Sequence, residues 1–273
     1  MSSIEPEFLS RESAETEDQR LAYINAPVSG SEAPGLVWLS GFNSVMTGTK
    51  ASELSEWAAA NSRSMLRFDY SGHGQSDGRP ADGTIGQWLD DAIQILKNLP
   101  RGPQILVGSS MGGWIALLLL RGIARRDPKM ANLPQIAGAV LIAPAWDMTE
   151  KLMWENFPDE IRADILREGY HDLPSQYDTA PYRITDKLIS EGRNHLIGKS
   201  RFKPPCPVRI LQGVKDADVP WRHVSKLTDM LVGEDVMLLF IPDGDHRLSR
   251  PKDIQKLFDA IDEIYDICAR HNI

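Results

Sequence analysis

The chain has 273 residues, of which 42% are apolar and 25% charged, the balance of a globular protein with room for a sizeable core. A net charge of -8 without any basic stripe excludes nucleic acid and an anionic membrane surface as partners; Arg125-Arg126 reads as the cationic last turn of a helix. The two cysteines, Cys206 and Cys268, lack metal-ligand spacing and read as buried thiols in a reducing compartment.

Residues 1–20 form a polar, acid-rich segment with no apolar h-region and no Arg-rich amphipathic pattern, so a cytoplasmic location is expected. Leu21–Ile24, with earlier residues, supplies an antiparallel pair. From there the chain alternates. Strands are expected at Leu36–Leu39, Ser64–Phe68, Ile105–Val107, Ala139–Ile142, Val208–Leu211 and Met237–Ile241, with helices at Glu53–Ala60, Ile85–Leu99, Gly112–Arg125, Trp221–Leu231 and Pro251–Arg270. This is the pattern of an α/β fold, a mostly parallel central sheet with helices on both faces, whose core covers 21–145 and 204–273. Residues 146–203 break the alternation. They are rich in Trp, Met, Tyr and Pro, carry helix signals around Asp159–Arg167 and Ile184–Gly192, and contain no clear strand. Inserted between the sixth and seventh strands, they would lie over the strand C-termini as a small helical lid. The apolar run Trp114–Leu120 is too short to span a bilayer.

Gly108-Ser109-Ser110-Met111-Gly112 is the most informative stretch, because this G-x-S-x-G stands between a strand-like run and a helix-like run. Glycines 108 and 112 permit a sharp strand-to-helix turn that raises the Ser110 hydroxyl at the sheet edge. The free N–H groups that open the next helix can then bind an oxyanion beside it. An ordinary Gly/Ser turn is the bland alternative, and the strand–turn–helix context argues against it.

Such a serine needs a base and an orienting acid on loops after later strands. Among six histidines, His73 precedes the serine, His171 and His195 lie in the expected lid, His223 falls within a helix, and His271 is at the C-terminus. His246 is left, in the turn-rich Pro242-Asp243-Gly244-Asp245-His246 after the last strand. Asp243 and Asp245 most simply serve their own turn. For the acid, Asp216 and Asp218 both follow Val208–Leu211; Asp218 has an alternative duty at the start of the helix that Pro220 opens, whereas Asp216 has none.

Three further phrases accompany these residues: Leu39-Ser40-Gly41-Phe42, Arg67-Phe68-Asp69-Tyr70-Ser71-Gly72-His73-Gly74-Gln75-Ser76, and Gly213-x-x-Asp216-x-x-Val219-Pro220. With them the chain resembles the α/β-hydrolase superfamily. Gly48-Thr49-Lys50-Ala51, Gly102-Pro103-Gln104-Ile105-Leu106-Val107-Gly108-Ser109-Ser110, Pro174-Ser175-x-Tyr177 and Val219-Pro220-Trp221 bring it closest to one branch. That is the abhydrolase-domain branch containing a mitochondrial acyl-protein thioesterase that is also an acyl-glucuronide esterase. The resemblance implies Ser110 as nucleophile, Asp216 as acid, His246 as base, and the amides of Phe42 and Met111 as oxyanion hole. Ser40 departs from it, standing where the superfamily usually has histidine. Altered hydrogen bonding of the loop is expected there, with the hole retained.

The expected chemistry is cofactor-independent, metal-free cleavage of a small-molecule ester or thioester, or of an acylated protein, through an acyl-enzyme. Serine at the elbow argues against dehalogenase or epoxide hydrolase chemistry, which needs a carboxylate there. Carbon–carbon bond hydrolysis and perhydrolysis on the same triad stay open, as does a non-catalytic binding protein of this fold. Trp146, Met148, Met153, Trp154, Phe157, Tyr170, Tyr177 and Tyr182 divide between lining a pocket and packing the lid. Trp146, Trp154 and Tyr177 are the candidate substrate contacts, and by the glucuronide resemblance Arg183 is the candidate partner of a sugar carboxylate. Gly72-His73-Gly74-Gln75-Ser76-Asp77-Gly78 has a dinucleotide-like look, but its third glycine is one place late; Gly192 to Ser200 misses a phosphate loop at Arg193.

Overall fold

Along each central strand, successive side chains enter two different cores. Val37, Leu39, Leu106, Leu141 and Ile210 pack on one face, while Leu36, Trp38, Ile105, Val107, Val140 and Leu211 pack on the other. That two-residue alternation of apolar side chains on both faces is what a sheet needs to carry helices on each side. The computed structural model describes residues 5–11, 19–174, 181–198 and 200–272. Its strands are β1 (Glu7–Ser10), β2 (Arg20–Ala26), β3 (Gly35–Leu39), β4 (Met65–Phe68), β5 (Gln104–Ser109), β6 (Ile136–Ile142), β7 (Tyr170–Leu173), β8 (Tyr182–Thr185), β9 (Val208–Gly213) and β10 (Val236–Ile241). The main sheet runs β1-β2-β4-β3-β5-β6-β9-β10; β1 and β2 are antiparallel, and the strands from β4 to β10 are parallel.

Helices α1 (Thr49–Ala60) and α8 (Pro251–His271) cover one face; α2 (Ile85–Asn98) and α3 (Met111–Ala124) cover the other. In α3 nearly every residue is buried, including Trp114 and Leu117 to Leu120. The helix stops at Ala124, so Arg125 is its C-cap and Arg126 follows with φ +57°; the cation within the last turn is Arg121. The expected helix 221–231 is divided into α6 (Trp221–Ser225) and α7 (Leu227–Met230). The His223 carbonyl, which an unbroken helix would offer to Leu227, instead accepts from Trp146 Nε1 at 3.2 Å and from the Lys226 amide. Both cysteines are free thiols, Cys268 buried and Cys206 half-buried, the latter pushed up to about 12 by burial. Among the described residues no helix is long and apolar enough to cross a membrane.

Between β6 and β9 the chain leaves the sheet. It forms a π-helical turn (Met148–Trp154), α4 (Asp159–Glu168), an antiparallel β7–β8 hairpin and α5 (Asp186–Gly192). The hairpin corrects the expectation that this stretch contains no strand. Its strands are four residues long and mix charge with apolar groups, so no alternation betrays them, and Ile184, expected to start a helix, lies in β8. The helix begins after Thr185, whose hydroxyl accepts the Leu188 amide at 3.1 Å. Ile165, Ile184 and Ile189 make a small separate core, each worth about 1.5–3 kcal/mol of burial. Asp147, fully buried, closes the base of the segment by accepting the Ile197 and Gly198 amides at 2.6 and 2.8 Å.

Candidate active site

The turn between β5 and α3 is held by contacts that leave no room for larger residues. A Cβ on Gly108 would stand 2.5 Å from the Gly112 carbonyl oxygen, and one on Gly112 only 2.0 Å from that of Leu39. Ser110 pays for this sharpness with φ 53° and ψ -116°, outside the usual regions for a side-chain-bearing residue. Four backbone hydrogen bonds over-determine it. Its amide donates to Ile142 O at 2.8 Å, and its carbonyl accepts from Gly113, Trp114 and Ala145.

The loops after β9 and β10 bring two more groups to that hydroxyl. His246 Nε2 lies 3.2 Å from Ser110 Oγ, and its Nδ1 lies 2.9 Å from Asp216 Oδ2. An ionised carboxylate can only accept, so Nδ1 carries the proton and Nε2 is free to accept the serine hydroxyl proton. The Asp216 side chain is fully buried and accepts the Asp218 and Val219 amides at 2.9 and 2.8 Å, with Gln212 Nε2 at 3.2 Å from its other oxygen. The turn role expected of Asp218 therefore belongs to Asp216. Helix α6 has Pro220 as its N-cap with no side-chain cap bond. Asp218 stays close: one oxygen of each aspartate and one His246 ring nitrogen lie within 4.8 Å of one another. The hydrogen-bond chain to Ser110 already accounts for Asp216 and His246 in that cluster.

Other contacts brace the histidine loop. Asp245 accepts the Leu248 amide at 3.0 Å, and Asp243 pairs with Arg250 at 3.0 Å and with Lys252. Lys50, at the start of α1, donates to the carbonyl of Arg247, and burial brings its ammonium down to about 8.

Phe42 follows β3 on a loop that passes beside the elbow: a Cβ on Gly41 would lie 3.4 Å from Ser109 O and 3.5 Å from both Ser110 Cβ and Ser44 Oγ. Met111 opens α3, so its amide has no intrahelical partner. Ser40 is buried and accepts from Trp38 Nε1 at 3.1 Å. A cavity of about 460 Å³ adjoins this loop, with Asn43, Ser44, His73, Arg79, Tyr182 and Arg183 in its wall.

The candidate lid contacts are scattered rather than converging. Trp146 is only 4% exposed and stacks on His223 at 4.2 Å, while His223 Nε2 donates to Trp146 O at 2.8 Å. Burial holds His223 down at about 4. Trp154 packs with the small isoleucine core and lies under Arg193. Tyr177 lies outside the described residues. Arg183 reaches the cavity wall, yet its guanidinium is already bound to Asp172 by two hydrogen bonds of 2.8 and 2.7 Å and sits 3.9 Å over the Tyr170 ring. Phe42 itself packs against the small isoleucine core and meets Tyr182 edge-on at 6.0 Å, a contact that sequence spacing could not reveal.

Residues 35–168 match the Hydrolase_4 family, serine aminopeptidase S33. The palmitoyl-protein thioesterase ABHD10 of Bos taurus, named as mitochondrial, is 36% identical over 238 residues, covering 86% of this chain and 74% of its own length. The chain belongs to the α/β-hydrolase family. Among solved α/β-hydrolase relatives, a putative hydrolase from Agrobacterium vitis S4 superposes with a TM-score of 0.89 at 41% identity, covering 96% of this chain and 99% of the other. Mouse alpha/beta hydrolase domain-containing protein 10 gives 0.81 at 34% identity, with 96% and 99% covered. The mostly parallel sheet and flanking helices expected from the sequence are thus the family's fold.

Proposed function

We propose that this hydrolase cleaves carboxylic esters or thioesters through an acyl-enzyme on Ser110. The carrying observation is the continuous chain Ser110 Oγ, His246 and Asp216 at 3.2 and 2.9 Å, on a strained, glycine-flanked elbow. His246 takes the hydroxyl proton as Ser110 attacks the acyl carbonyl, and the amides of Phe42 and Met111 receive the oxyanion. The imidazolium then gives its proton to the departing alcohol or thiol. Water, deprotonated by the same imidazole, releases the acid and restores the serine. Palmitoyl-protein thioesterase, the name borne by the ABHD10 relatives, favours a thioester of a long acyl chain, on a protein or a small molecule. Residues 146–203 act as the lid over this site. Arg183 in the cavity wall supports a second substrate class, an acyl glucuronide, whose sugar carboxylate it would meet. A cytoplasmic site of action stands against the mitochondrial one in the relatives' names, and subcellular fractionation separates the two.

Fluorophosphonate labelling, followed by p-nitrophenyl esters and acyl-CoA thioesters of graded length, tests the reading. Wild type labels and turns over, with activity rising from acetyl as each buried methylene adds about 0.8 kcal/mol. Ser110→Ala loses both, whereas Ser109→Ala keeps most activity. Undiminished labelling of Ser110→Ala overturns the nucleophile, and a profile that peaks at acetyl and collapses by butanoyl overturns the acyl pocket.

A further inference from the structure

The loop that carries Phe42 has no regular structure of its own, and it is held from outside. Two side chains from the loop after β4 take two of its amides: Asp69 Oδ1 accepts from Met46 N at 2.7 Å, and His73 Nε2 accepts from Asn43 N at 3.1 Å. Asn43 has φ +52°, a left-handed conformation that an asparagine tolerates but does not prefer. The Ser44 amide closes a turn onto Gly41 O at 3.1 Å, and within that turn the bond from the Asn43 N–H to His73 holds the peptide joining Phe42 to Asn43 in this orientation.

His73 has the form that this bond needs. A backbone N–H can only donate, so Nε2 must be unprotonated and Nδ1 must bear the hydrogen. Nδ1 faces an acceptor, Ser71 O, at 3.2 Å, which agrees with that tautomer. Ser71 is itself fixed at both ends: Asp91 Oδ2 accepts its amide at 2.8 Å, and Trp88 Nε1 donates to its carbonyl at 3.1 Å. The imidazole ring is 4% exposed and meets Trp88, Tyr70 and Phe42 edge-on at 5.2, 6.0 and 6.4 Å, so it cannot swing away. Burial keeps it below the ordinary histidine range and hence in the neutral form that can accept.

We infer that His73 is a positioning residue for the oxyanion hole, acting on Phe42 through the Asn43 amide. The inference rests on the serine-hydrolase reading. A hole works by donors already aimed at the place where charge develops, so its precision depends on what restrains the loop, and loss of one donor costs about 10²–10³ in kcat. Loosening one donor by removing its restraint costs a part of that. His73 precedes the serine in the chain, which argues against it as the base, and its Gly-His-Gly setting looks only like a loop. Position in sequence says nothing about a role that needs an acceptor and not a proton shuttle.

Two substitutions separate hydrogen bonding from packing. His73→Phe keeps a buried ring and removes the acceptor; His73→Gln keeps an acceptor of similar reach and removes the ring. Each enzyme is titrated with a fluorophosphonate so that kcat is expressed per reactive serine. Inhibition by an acyl trifluoromethyl ketone, whose serine adduct places an oxyanion in the hole, is measured beside it. For His73→Phe we expect kcat about 10–100-fold lower, KM within about two-fold of wild type, and Ki raised in proportion to the loss in kcat. His73→Gln should return to within about five-fold of wild type. Wild-type kcat in His73→Phe, or equal damage in both variants, overturns the inference. Should His73→Phe fail to fold, a scalar coupling across the hydrogen bond between Asn43 ¹⁵N and His73 Nε2 is read in the wild-type protein, and its absence overturns the inference. Failure of wild type itself to label defeats the serine-hydrolase reading, an outcome separate from any difference between the variants.

Discussion

The elbow and the segment above it solve the problem of placing a side chain in opposite ways. At Ser110 the backbone does the placing: glycine contacts under 3 Å and bonds to Ile142, Gly113, Trp114 and Ala145 leave one direction for the hydroxyl. In residues 146–203 side chains do it, through partly exposed pairs such as Arg183–Asp172 and Arg193–Glu150 and a small isoleucine core. Backbone placement is rigid and local, so it suits a reacting atom. Side-chain placement is adjustable, because exposed ion pairs are each worth only about 0–1 kcal/mol, and it suits a surface that meets varied substrates.

The largest test of this contrast lies at the rigid end. Asp216→Asn should lower kcat by about 10³–10⁴-fold, because an amide that also holds the Asp218 and Val219 turn favours the wrong imidazole tautomer. Asp218→Asn should change kcat little, although its carboxylate is near His246. Steady-state kinetics of the two variants decides the matter; the reverse ranking would move the acid to Asp218.

A middle-sized effect is expected where the two regions join. His223, stacked on Trp146, has its pKa held at about 4 against an ordinary 6.5, chiefly by burial. Its neutral form is the one the fold prefers, so the full contribution is present above pH 6.5. As pH falls toward 4 the unfolded chain takes up a proton that the folded one refuses, and up to about 3 kcal/mol of stability is lost. Urea unfolding at pH 7.5 and 4.5 should show wild type losing more than His223→Gln, which cannot titrate. Parallel losses would mean that the join does not sense pH through this residue.

The smallest effect belongs to the adjustable region. Because Arg183 is already paired with Asp172, Arg183→Ala should raise KM for an acyl glucuronide by no more than about five-fold and leave a neutral p-nitrophenyl ester unchanged. Asp172→Asn, which releases the guanidinium, should lower the same KM. Equal effects of Arg183→Ala on both substrates would remove the carboxylate role.

Local chemistry by itself determined the parts of this protein whose geometry is dictated within a few residues. Alternating apolar strands marked the sheet, and Gly108 and Gly112 around Ser110 marked the elbow, since only glycine survives 2.0–2.5 Å from a neighbouring carbonyl. That Ser110, Asp216 and His246 meet after β5, β9 and β10 was equally legible, because parallel strands send every following loop to one edge. Tertiary structure alone decided which aspartate turns its loop and also reaches His246, for that depends on two amides and an imidazole 30 residues away. It alone drew Phe42 onto the small isoleucine core, split the helix at Lys226, formed the polar β7–β8 hairpin and set His73 beneath Asn43. Each of these rests on contacts between distant residues whose side chains carry no periodic signal.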